Sequence, residues 1–472
     1  MNAVCLLPPE SGAVNVAAPV VKGRVHCPRV HDGAEKRLSH SAGASDNTGD
    51  VMVSASDQPW DAAAIRRALR LLGSHSPRID DPQSTARALR LVWDIIQRRG
   101  TRAEIFQLPG TMTLVVVGDG PILLITHLDD PHPFAQVDDS GPPSMNGDTV
   151  SAPGITRKGG VMAALGAVLG DESTAERVTL VIESDRHDGS QAFSSWLDSN
   201  QRQYSAALCE IADLPVTAPA LFLAATGLVT LRIILRDDSG PVERVYGGVH
   251  PDIGHQLVAA LSALKSGDGE VLVPGFYDGV VTPEAEGLAV LQRAASSVGA
   301  WLTRGAPPTE DQLSSSQLTL AAFLAPSIIL RDLFLDGAGP HMASGATAVI
   351  EARIMPGQDA ETIARSISDF VLTRIPDATI ETLLLQPAAM AGAFDAIELS
   401  NIAPMFPVAA GNSPAELLNA AAIPTLGFST VSRDPASFDE HVSLASIAEH
   451  SRMIQALVRL VADAQDATGP PR

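Results

Sequence analysis

Short apolar runs alternate with helix-like segments through the first half of the chain, and this alternation constrains the fold more than any other feature. The runs typical of strands are 113–118, 122–126, 178–182 and 206–210. The segments with helical spacing of apolar residues are 61–72, 81–98, 159–170 and 191–198. Strands that alternate with helices are typical of an α/β sheet with helices on both faces. We therefore predict an α/β fold for this part of the chain.

The middle of the chain has a different pattern, which indicates a second domain. Its strand-like segments are 228–236 and 346–353, and its helical segments are 254–264 and 360–373. A strand at 424–428 and a helix at 444–462 then return to the first pattern. This order predicts a smaller α+β domain inserted into the α/β domain.

Domain boundaries follow from these patterns and from the length of 472 residues, because one domain commonly holds about 100–200 residues. Residues 1–58 are rich in Gly, Ala, Ser, Pro and Asp and show no sustained periodicity, so we predict a disordered extension there. The α/β domain is predicted to span 59–226 and 385–472, and the inserted domain to span 227–384.

The charge and the cysteines of the chain exclude several classes of partner and site. The 33 basic and 54 acidic residues give a formal net charge of −21, whereas nucleic acid and anionic membranes attract clustered Lys and Arg. No apolar run reaches the ~18 residues that a membrane-spanning helix needs. The three cysteines form no CxxC pair, which disfavours a thiolate zinc site and favours a reducing compartment. We expect a cytoplasmic protein that binds neither nucleic acid nor membrane.

Polar residues occur where several of the predicted strands end. They are His127, Asp129, Asp185, Arg186, His187 and Glu210. In open α/β sheets the ligand site lies outside the carboxyl ends of the strands. We therefore predict that a functional site lies at this edge of the sheet.

Eight short blocks occur in a fixed order along the chain. They are His-Leu-Asp at 127–129, Lys-Gly-Gly at 158–160, the segment 183–190, Tyr-Gly-Gly-Val-His-Pro at 246–251, Pro-Gly-Phe-Tyr-Asp at 274–278, Arg-Ile-Met-Pro-Gly-Gln at 353–358, Gly-Asn-Ser-Pro at 411–414 and Glu-His at 440–441. Together they resemble the dinuclear zinc metallopeptidases of the carnosinase, acetylornithine deacetylase and carboxypeptidase G family, in its carnosinase-like branch. The resemblance implies a mixed-sheet, zinc-peptidase-like catalytic domain with an inserted α+β lid that mediates a homodimer.

The resemblance also implies candidate metal ligands, because this family hydrolyses amides with two zinc ions and a general-base carboxylate. His127 matches a ligand of the first zinc, and Glu210 matches the acidic ligand of the same ion. Asp129 matches the carboxylate that orients the ligand imidazole.

Other positions of the implied metal centre carry different chemistry. When the chain is aligned on Lys158, Thr156 takes the place of the bridging Asp. The family's pair of Glu residues falls on Arg186 and His187. Arg stays protonated in proteins and cannot act as a base, whereas His187 is a further candidate metal ligand. The resemblance therefore implies one zinc site at most, with Asp129 and Arg186 as the candidate catalytic residues.

Substrate-binding positions of the family are matched more closely. Arg353 matches an arginine that grips the substrate carboxylate. Gly411, Asn412 and Ser413 match a loop that cradles the same group. A guanidinium binds a carboxylate through two parallel hydrogen bonds, so the resemblance implies a pocket for a small carboxylate-bearing amide or amino-acid derivative.

Three functions remain open from the sequence, and whether the chain is an enzyme is open with them. The first is a relative of the dipeptidases that binds such a ligand after losing two-zinc hydrolysis. The second is a biosynthetic enzyme that transfers an acyl group or forms an amide on an amino-acid-like substrate. The third is a metal-dependent dipeptidase or deacylase with rearranged ligands. A structural alternative is that His127 and Asp129 form a metal-free hydrogen-bonded pair and that Arg186 forms a salt bridge.

Overall fold

The computed structural model describes residues 61–73, 82–108, 113–128, 143–152, 154–184, 190–200, 202–212, 219–240, 242–281, 285, 288–289, 291–292, 314–336, 341–392, 394, 396–408, 414–429 and 441–468. These residues belong to one compact unit that extends from Asp50 to Arg472. The predicted extension over 1–58 lies outside the described residues.

Helices and strands alternate along the described chain. The helices are α1 (Ala62–Gly73), α2 (Pro82–Gln97), α3 (Ile155–Leu169), α4 (Glu172–Arg177), α5 (Gln191–Ser199), α6 (Ile253–Ser262), α7 (Ser315–Leu324), α8 (Ala360–Leu372), α9 (Ala396–Ile402), α10 (Ala415–Ala420) and α11 (Leu444–Thr468). The strands are β1 (Ala103–Gln107), β2 (Thr113–Val117), β3 (Ile122–His127), β4 (Ser144–Asn146), β5 (Thr149–Ser151), β6 (Val178–Glu183), β7 (Ala206–Ala212), β8 (Leu221–Phe222), β9 (Ala224–Ala225), β10 (Gly227–Arg236), β11 (Ser327–Asp336), β12 (Gly345–Ile354), β13 (Thr379–Gln386), β14 (Ala389–Met390), β15 (Met405–Phe406), β16 (Thr425–Ser429) and β17 (His441–Ser443).

The largest sheet has eight strands in the order β1-β2-β6-β3-β7-β16-β8-β15. Its centre, β6-β3-β7-β16, is parallel, whereas β1 and β2 pair antiparallel and β8 runs antiparallel to β16. The sheet is therefore mixed, and the predicted α/β fold with a mixed sheet is confirmed. Because β6, β3, β7 and β16 are parallel, their carboxyl ends meet at one edge.

Both faces of this sheet are covered, as its mostly apolar central strands require. Every residue of β3 is buried, and its side chains alternate between two cores because neighbouring residues of a strand point to opposite faces. Ile122 and Leu124 pack in the core that contains α1, α2, α3 and α11, whereas Leu123 and Ile125 pack in the core that contains α5, α7 and α10. The first core buries α3 almost completely.

The second sheet is antiparallel, with the order β11-β12-β10-β13. One face of it packs on α6 and α8, through side chains such as Leu231, Ile233, Leu257 and Ile363. Its strands and helices all lie within residues 227–386, and the division of the chain into domains at 227 and 384 stays a prediction. Two strands of this sheet, β11 and β13, were not predicted from the sequence.

Two of the eight blocks contact each other at the end of the second sheet. Buried Gln358 accepts a hydrogen bond from the backbone N–H of Met355 at 2.8 Å and donates one to the carbonyl of Phe276 at 2.6 Å. Gly279 and Gly357 both have positive φ angles, of 80° and 91°, and a β-carbon on Gly357 would lie 2.2 Å from the carbonyl oxygen of Gly279. These blocks therefore shape a tight backbone crossing, for which glycine is required.

Among the residues that the structure describes, no helix is both long and apolar enough to cross a membrane.

Candidate functional site

Three buried polar residues lie at the carboxyl edge of the large sheet. His127 is the last residue of β3 and Glu183 is the last residue of β6, and the two are paired in the parallel register. Glu210 lies on the neighbouring strand β7, where the register pairs Ile125 with Cys209. His127 is 1% exposed and both glutamates are fully buried. The structure therefore brings two of the three predicted metal ligands, His127 and Glu210, to one place.

The carboxylate of Glu210 is held from three sides. The hydroxyl of Thr126 donates a hydrogen bond to Glu210 Oε2, and His127 Nδ1 lies 3.9 Å from the same oxygen. On the third side is Gly160 of α3, where an added β-carbon would lie 2.5 Å from Glu210 Oε1. A hydrogen bond to a carboxylate is stronger than one between neutral groups, and Thr126 is itself fully buried. Thr126, His127 and the backbone of Gly160 therefore surround the carboxylate of Glu210.

Helix α3 brings further polar groups into this buried region. It begins four residues earlier than the sequence predicted, so Gly159 and Gly160 lie within the helix and not at its start. Thr156 precedes Gly160 by one helical turn and lies on the same helix face. Its hydroxyl is buried and has no hydrogen-bond partner among the residues that are described. A buried polar group without a partner is uncommon in folded proteins and marks a place where a ligand or another side chain is expected.

The buried charged side chains of the described residues include as many basic as acidic groups. Over the described part of the chain, the charged Asp, Glu, Lys and Arg side chains that are buried are Arg157, Lys158, Glu183 and Glu210. Two of them are basic and two are acidic. The buried side chains that are described therefore carry no excess of carboxylates over basic groups.

A zinc ion requires more ligands than these residues provide. Catalytic zinc sites have three protein ligands, and structural sites have four. His127 and Glu210 are two suitable side chains, but no group of three His, Cys, Asp or Glu side chains that would hold a metal occurs within the described ranges. The described residues therefore do not complete a zinc site. Asp129 and His187 lie outside them, and the expectation of one zinc site at most stays a prediction.

Arg353 lies on β12 and is bonded to backbone groups. Its Nη1 donates to the carbonyl of Ala322 at 2.6 Å, and its Nη2 donates to the carbonyls of Ala321 at 3.1 Å and Ala325 at 2.6 Å. Burial lowers the pKa of the guanidinium from its ordinary value. The predicted carboxylate-binding arginine thus already caps the last turn of α7.

The other candidate residues cannot be placed. Asp129, Arg186, His187, Gly411, Asn412 and Ser413 all lie outside the described residues. Their predicted roles in catalysis, metal binding and substrate binding stay predictions.

Thr126 was not identified as a site residue from the sequence. It is the one hydroxyl in the otherwise aliphatic run 122–126, and Glu210 is the one charged residue in β7. Isolated polar residues in neighbouring apolar strands need partners, because an unpaired polar group in a core is costly. That signal was present in the sequence, but only the register of β3 and β7 shows that the two residues meet.

The sequence matches no protein-family model and no curated protein. The structure, however, is similar to several solved proteins. They include the M20 family metallo-carboxypeptidase Sso-CP2 of Sulfolobus solfataricus, with a TM-score of 0.69 and 15% identity over 84% of this chain and 99% of that chain. Human carnosine dipeptidase 1 has a TM-score of 0.68 and 15% identity over 85% of this chain and 97% of that chain. The di-peptidase Dug1p of Saccharomyces cerevisiae has a TM-score of 0.66 and 12% identity over 86% of this chain and 99% of that chain. At these identities the likeness shows the fold alone, and the chain has the fold of these metallopeptidases and dipeptidases.

Proposed function

We propose that this protein belongs to the carnosinase-like metallopeptidases and binds a small carboxylate-bearing amide or amino-acid derivative, and that ordinary two-zinc hydrolysis has been lost. The observation that carries the proposal is the number of buried charged side chains among the described residues: two are basic, Arg157 and Lys158, and two are acidic, Glu183 and Glu210. Two zinc ions bring four positive charges, which need a surplus of carboxylates around them. The buried side chains that are described offer no such surplus.

Thr156 supports the same proposal. The resemblance places the bridging carboxylate of the two zinc ions at this position, where a neutral hydroxyl stands instead. The hydroxyl is 3% exposed and lies on the α3 face that contacts Glu210 through Gly160. A threonine hydroxyl carries no negative charge, so it does not hold two dications together as a carboxylate does.

The remaining roles are proposed from the resemblance. Arg353 and the loop containing Gly411, Asn412 and Ser413 would hold the carboxylate of the ligand. Asp129 would orient the imidazole of His127. Arg186 would place a guanidinium against the polar end of the ligand, since it cannot take up a proton as a general base. His187 remains a candidate ligand for one metal ion.

A second candidate is amide formation or acyl transfer in a biosynthetic pathway. The observation that favours it is the burial of His127, Thr156 and Glu210, which are all at most 3% exposed. Excluding water from a site suppresses hydrolysis of an activated acyl group. This candidate needs an activated acyl donor as a second substrate.

The test of the proposed function combines metal content, binding and turnover. Full-length protein purified without chelators is analysed for zinc, and then titrated calorimetrically with N-acetylglycine and glycylglycine. We expect less than one zinc ion for each chain, measurable binding and no hydrolysis of the dipeptide. Two tightly bound zinc ions with dipeptide turnover would establish the third function, a metal-dependent dipeptidase with rearranged ligands. Product formation only with an added acyl donor would favour the biosynthetic candidate.

We further propose a cytoplasmic homodimer formed through the inserted domain. Strand β11 is an edge strand that pairs with β12 alone among the described strands, and Leu330, Leu333 and Leu335 on it are each at least 41% exposed. A groove of about 260 Å³, lined mostly by apolar side chains of α6, β11 and β12, lies beside this edge. Exposed apolar strands at a sheet edge favour pairing with another chain.

A further inference from the structure

Arg353 connects the second sheet to a helix that belongs to the core of the large sheet. The residue lies one position before the end of β12, and its Cα pairs with that of Ser327, the first residue of β11. Its guanidinium binds the carbonyls of Ala321, Ala322 and Ala325. The last carbonyls of a helix have no partner within the helix and form its negative end, where a cation is favourable. The guanidinium therefore fastens the end of α7 to β12.

Helix α7 is itself packed on the large sheet. Phe323 is 3% exposed, and its ring centroid lies 6.0 Å from that of Phe406 on β15. Thr319, one turn earlier, is fully buried. Since Arg353 belongs to the second sheet and Phe323 to the core of the first, the three hydrogen bonds of Arg353 link the two sheets.

The Nε donor of Arg353 takes no part in the three hydrogen bonds to α7. Nε is buried and has no hydrogen-bond partner among the described residues. A buried donor without an acceptor costs free energy, so the site favours any acceptor that reaches it. A carboxylate that binds a guanidinium side-on needs Nε and one Nη together. Such a ligand therefore has to compete with the carbonyls of α7.

We propose that Arg353 is a ligand-responsive latch, whose guanidinium fastens α7 to β12 until a ligand carboxylate takes the place of the α7 carbonyls. The ligand half of this inference rests on the proposed function, because it requires that the protein bind a carboxylate at Arg353. The latch half rests on the three hydrogen bonds alone. Ligand binding would then loosen the last turn of α7 and change the link between the two sheets.

Amide hydrogen exchange tests both halves on the full-length chain. The peptide covering 318–327 contains the last turn of α7, including the N–H of Ala325, which donates to Ala321. In Arg353→Gln we expect the amides of this turn to exchange about tenfold faster or more, because three charge-assisted hydrogen bonds are lost. Arg353→Lys keeps the charge without the planar fork and is expected to give an intermediate increase. The matched control is Arg232→Gln on β10, which removes an exposed 2.9 Å pair with Glu381 and should leave 318–327 unchanged.

The same peptide is then followed in the wild-type chain with saturating N-acetylglycine. Faster exchange at 318–327 on binding, absent in Arg353→Gln, supports the coupling. Calorimetric binding without any change at 318–327 overturns the latch as a ligand-responsive device and leaves the proposed function intact. No binding at all removes the proposed function and the ligand half together, whereas unchanged exchange in both Arg353 variants overturns the latch itself. If Arg353→Gln does not fold, exchange at 318–327 in Arg353→Lys tests the latch half. Exchange at 318–327 in the wild-type chain with and without N-acetylglycine tests the ligand half.

Discussion

Gly160 of α3 lies directly against the carboxylate of Glu210 on β7, so that a β-carbon at position 160 would be 2.5 Å from Oε1 and 3.1 Å from Oε2. The contact brings a helix backbone onto a buried acidic group at the edge of the sheet. It gives the second glycine of the Gly-Gly sequence in α3 a specific structural reason. Only a residue without a side chain leaves the space that Glu210 occupies.

Gly160→Ala is therefore expected to destabilise the protein although alanine is the better helix former. Overpacking of a filled core costs about 1–3 kcal/mol, whereas the gain in helix propensity is about 1 kcal/mol. Glu210 cannot move aside freely, because it is fully buried and bonded to Thr126. The measurement is the urea midpoint of unfolding. The control is Gly267→Ala, where no heavy atom lies within 4 Å of the added carbon, and an equal midpoint for both variants would contradict the contact.

Thr126→Val tests the hydrogen bond on the other side of Glu210. Valine keeps the shape of the side chain but removes the donor, so a buried carboxylate loses one of its partners. The expected cost is about 1–3 kcal/mol in the free energy of unfolding. Thr126→Ser keeps the hydroxyl and should lose less than Thr126→Val. If the two variants are equally stable, the hydroxyl does not hold Glu210, and packing of the methyl group alone explains the residue.

The central strands were predictable because their sequences are almost wholly apolar. β3 and β6 are buried on both faces, and such strands are read as continuous apolar runs. β11 was missed for the opposite reason. It is a sheet edge with most of its side chains exposed, so its sequence Ser-Ile-Ile-Leu-Arg-Asp-Leu-Phe-Leu-Asp shows neither alternation nor a buried run. β11 belongs to the second sheet because it pairs with β12, and a burial pattern does not predict which strands pair.

The candidate site was predictable only in part. His127 is the last residue of β3, and Glu210 lies near the end of β7. Because β3 and β7 are parallel neighbours in one sheet, the two side chains were expected to lie close together. The hydrogen-bond partners of Arg353 were not predictable, because the α7 carbonyls lie 28 to 32 residues away in sequence and are close to Arg353 only in the folded chain. Within the protein itself the guanidinium has three carbonyl partners, and the substrate carboxylate that the resemblance implies stays a prediction. Long-range contacts of this kind carry no local sequence signal.

Asp237 and His250 give a prediction about acid stability. His250 Nε2 lies 2.6 Å from Asp237 Oδ2, and the N–H of Ser239 donates to Oδ1 at 2.9 Å. The hydrogen bond from His250 is the largest cause that lowers the pKa of Asp237 from 3.8 to about 2. A carboxyl whose pKa is lowered by folding stabilises the protein above the unfolded value, and this stabilisation is lost as the pH falls towards the folded value.

Asp237→Asn is therefore expected to lower the urea midpoint at pH 6, and the difference from wild type should shrink between pH 4 and pH 2. The exposed neighbour Asp238→Asn serves as the control and should show a much smaller difference at pH 6. A midpoint difference for Asp237→Asn that stays constant down to pH 2 would show that its ionisation is not linked to folding.

The proposed homodimer is tested at the β11 edge. Leu333 is 41% exposed on β11, and Leu385 is 38% exposed on β13 at the opposite edge of the same sheet. Leu333→Lys puts a charge into an apolar contact and is expected to give a monomer by size-exclusion chromatography with light scattering. Leu385→Lys changes an equally exposed leucine away from the groove and should leave the dimer intact. A dimer that survives Leu333→Lys but not Leu385→Lys would place the interface at β13.

Thr156→Asp tests whether a carboxylate at position 156 is enough to give this chain a zinc site. The substitution puts a negative charge on the α3 face that contacts Glu210 through Gly160, at the position whose hydroxyl has no hydrogen-bond partner among the described residues. Without metal the buried carboxylate should destabilise the protein, because it lacks a compensating charge. With Zn²⁺ the stability should return and rise, since a ligand that binds only the folded state stabilises it.

The readout is the melting temperature with and without Zn²⁺, together with zinc retained after gel filtration. We expect a clear rise on adding zinc for Thr156→Asp and little change for wild type. Thr156→Asn has nearly the same shape without the charge, so it should behave as wild type does. If Thr156→Asn gains as much from zinc as Thr156→Asp, charge at position 156 is not the deciding property. If neither gains, the position does not face the metal site that the resemblance implies, because a carboxylate beside His127 and Glu210 would otherwise supply the third ligand that a zinc ion needs.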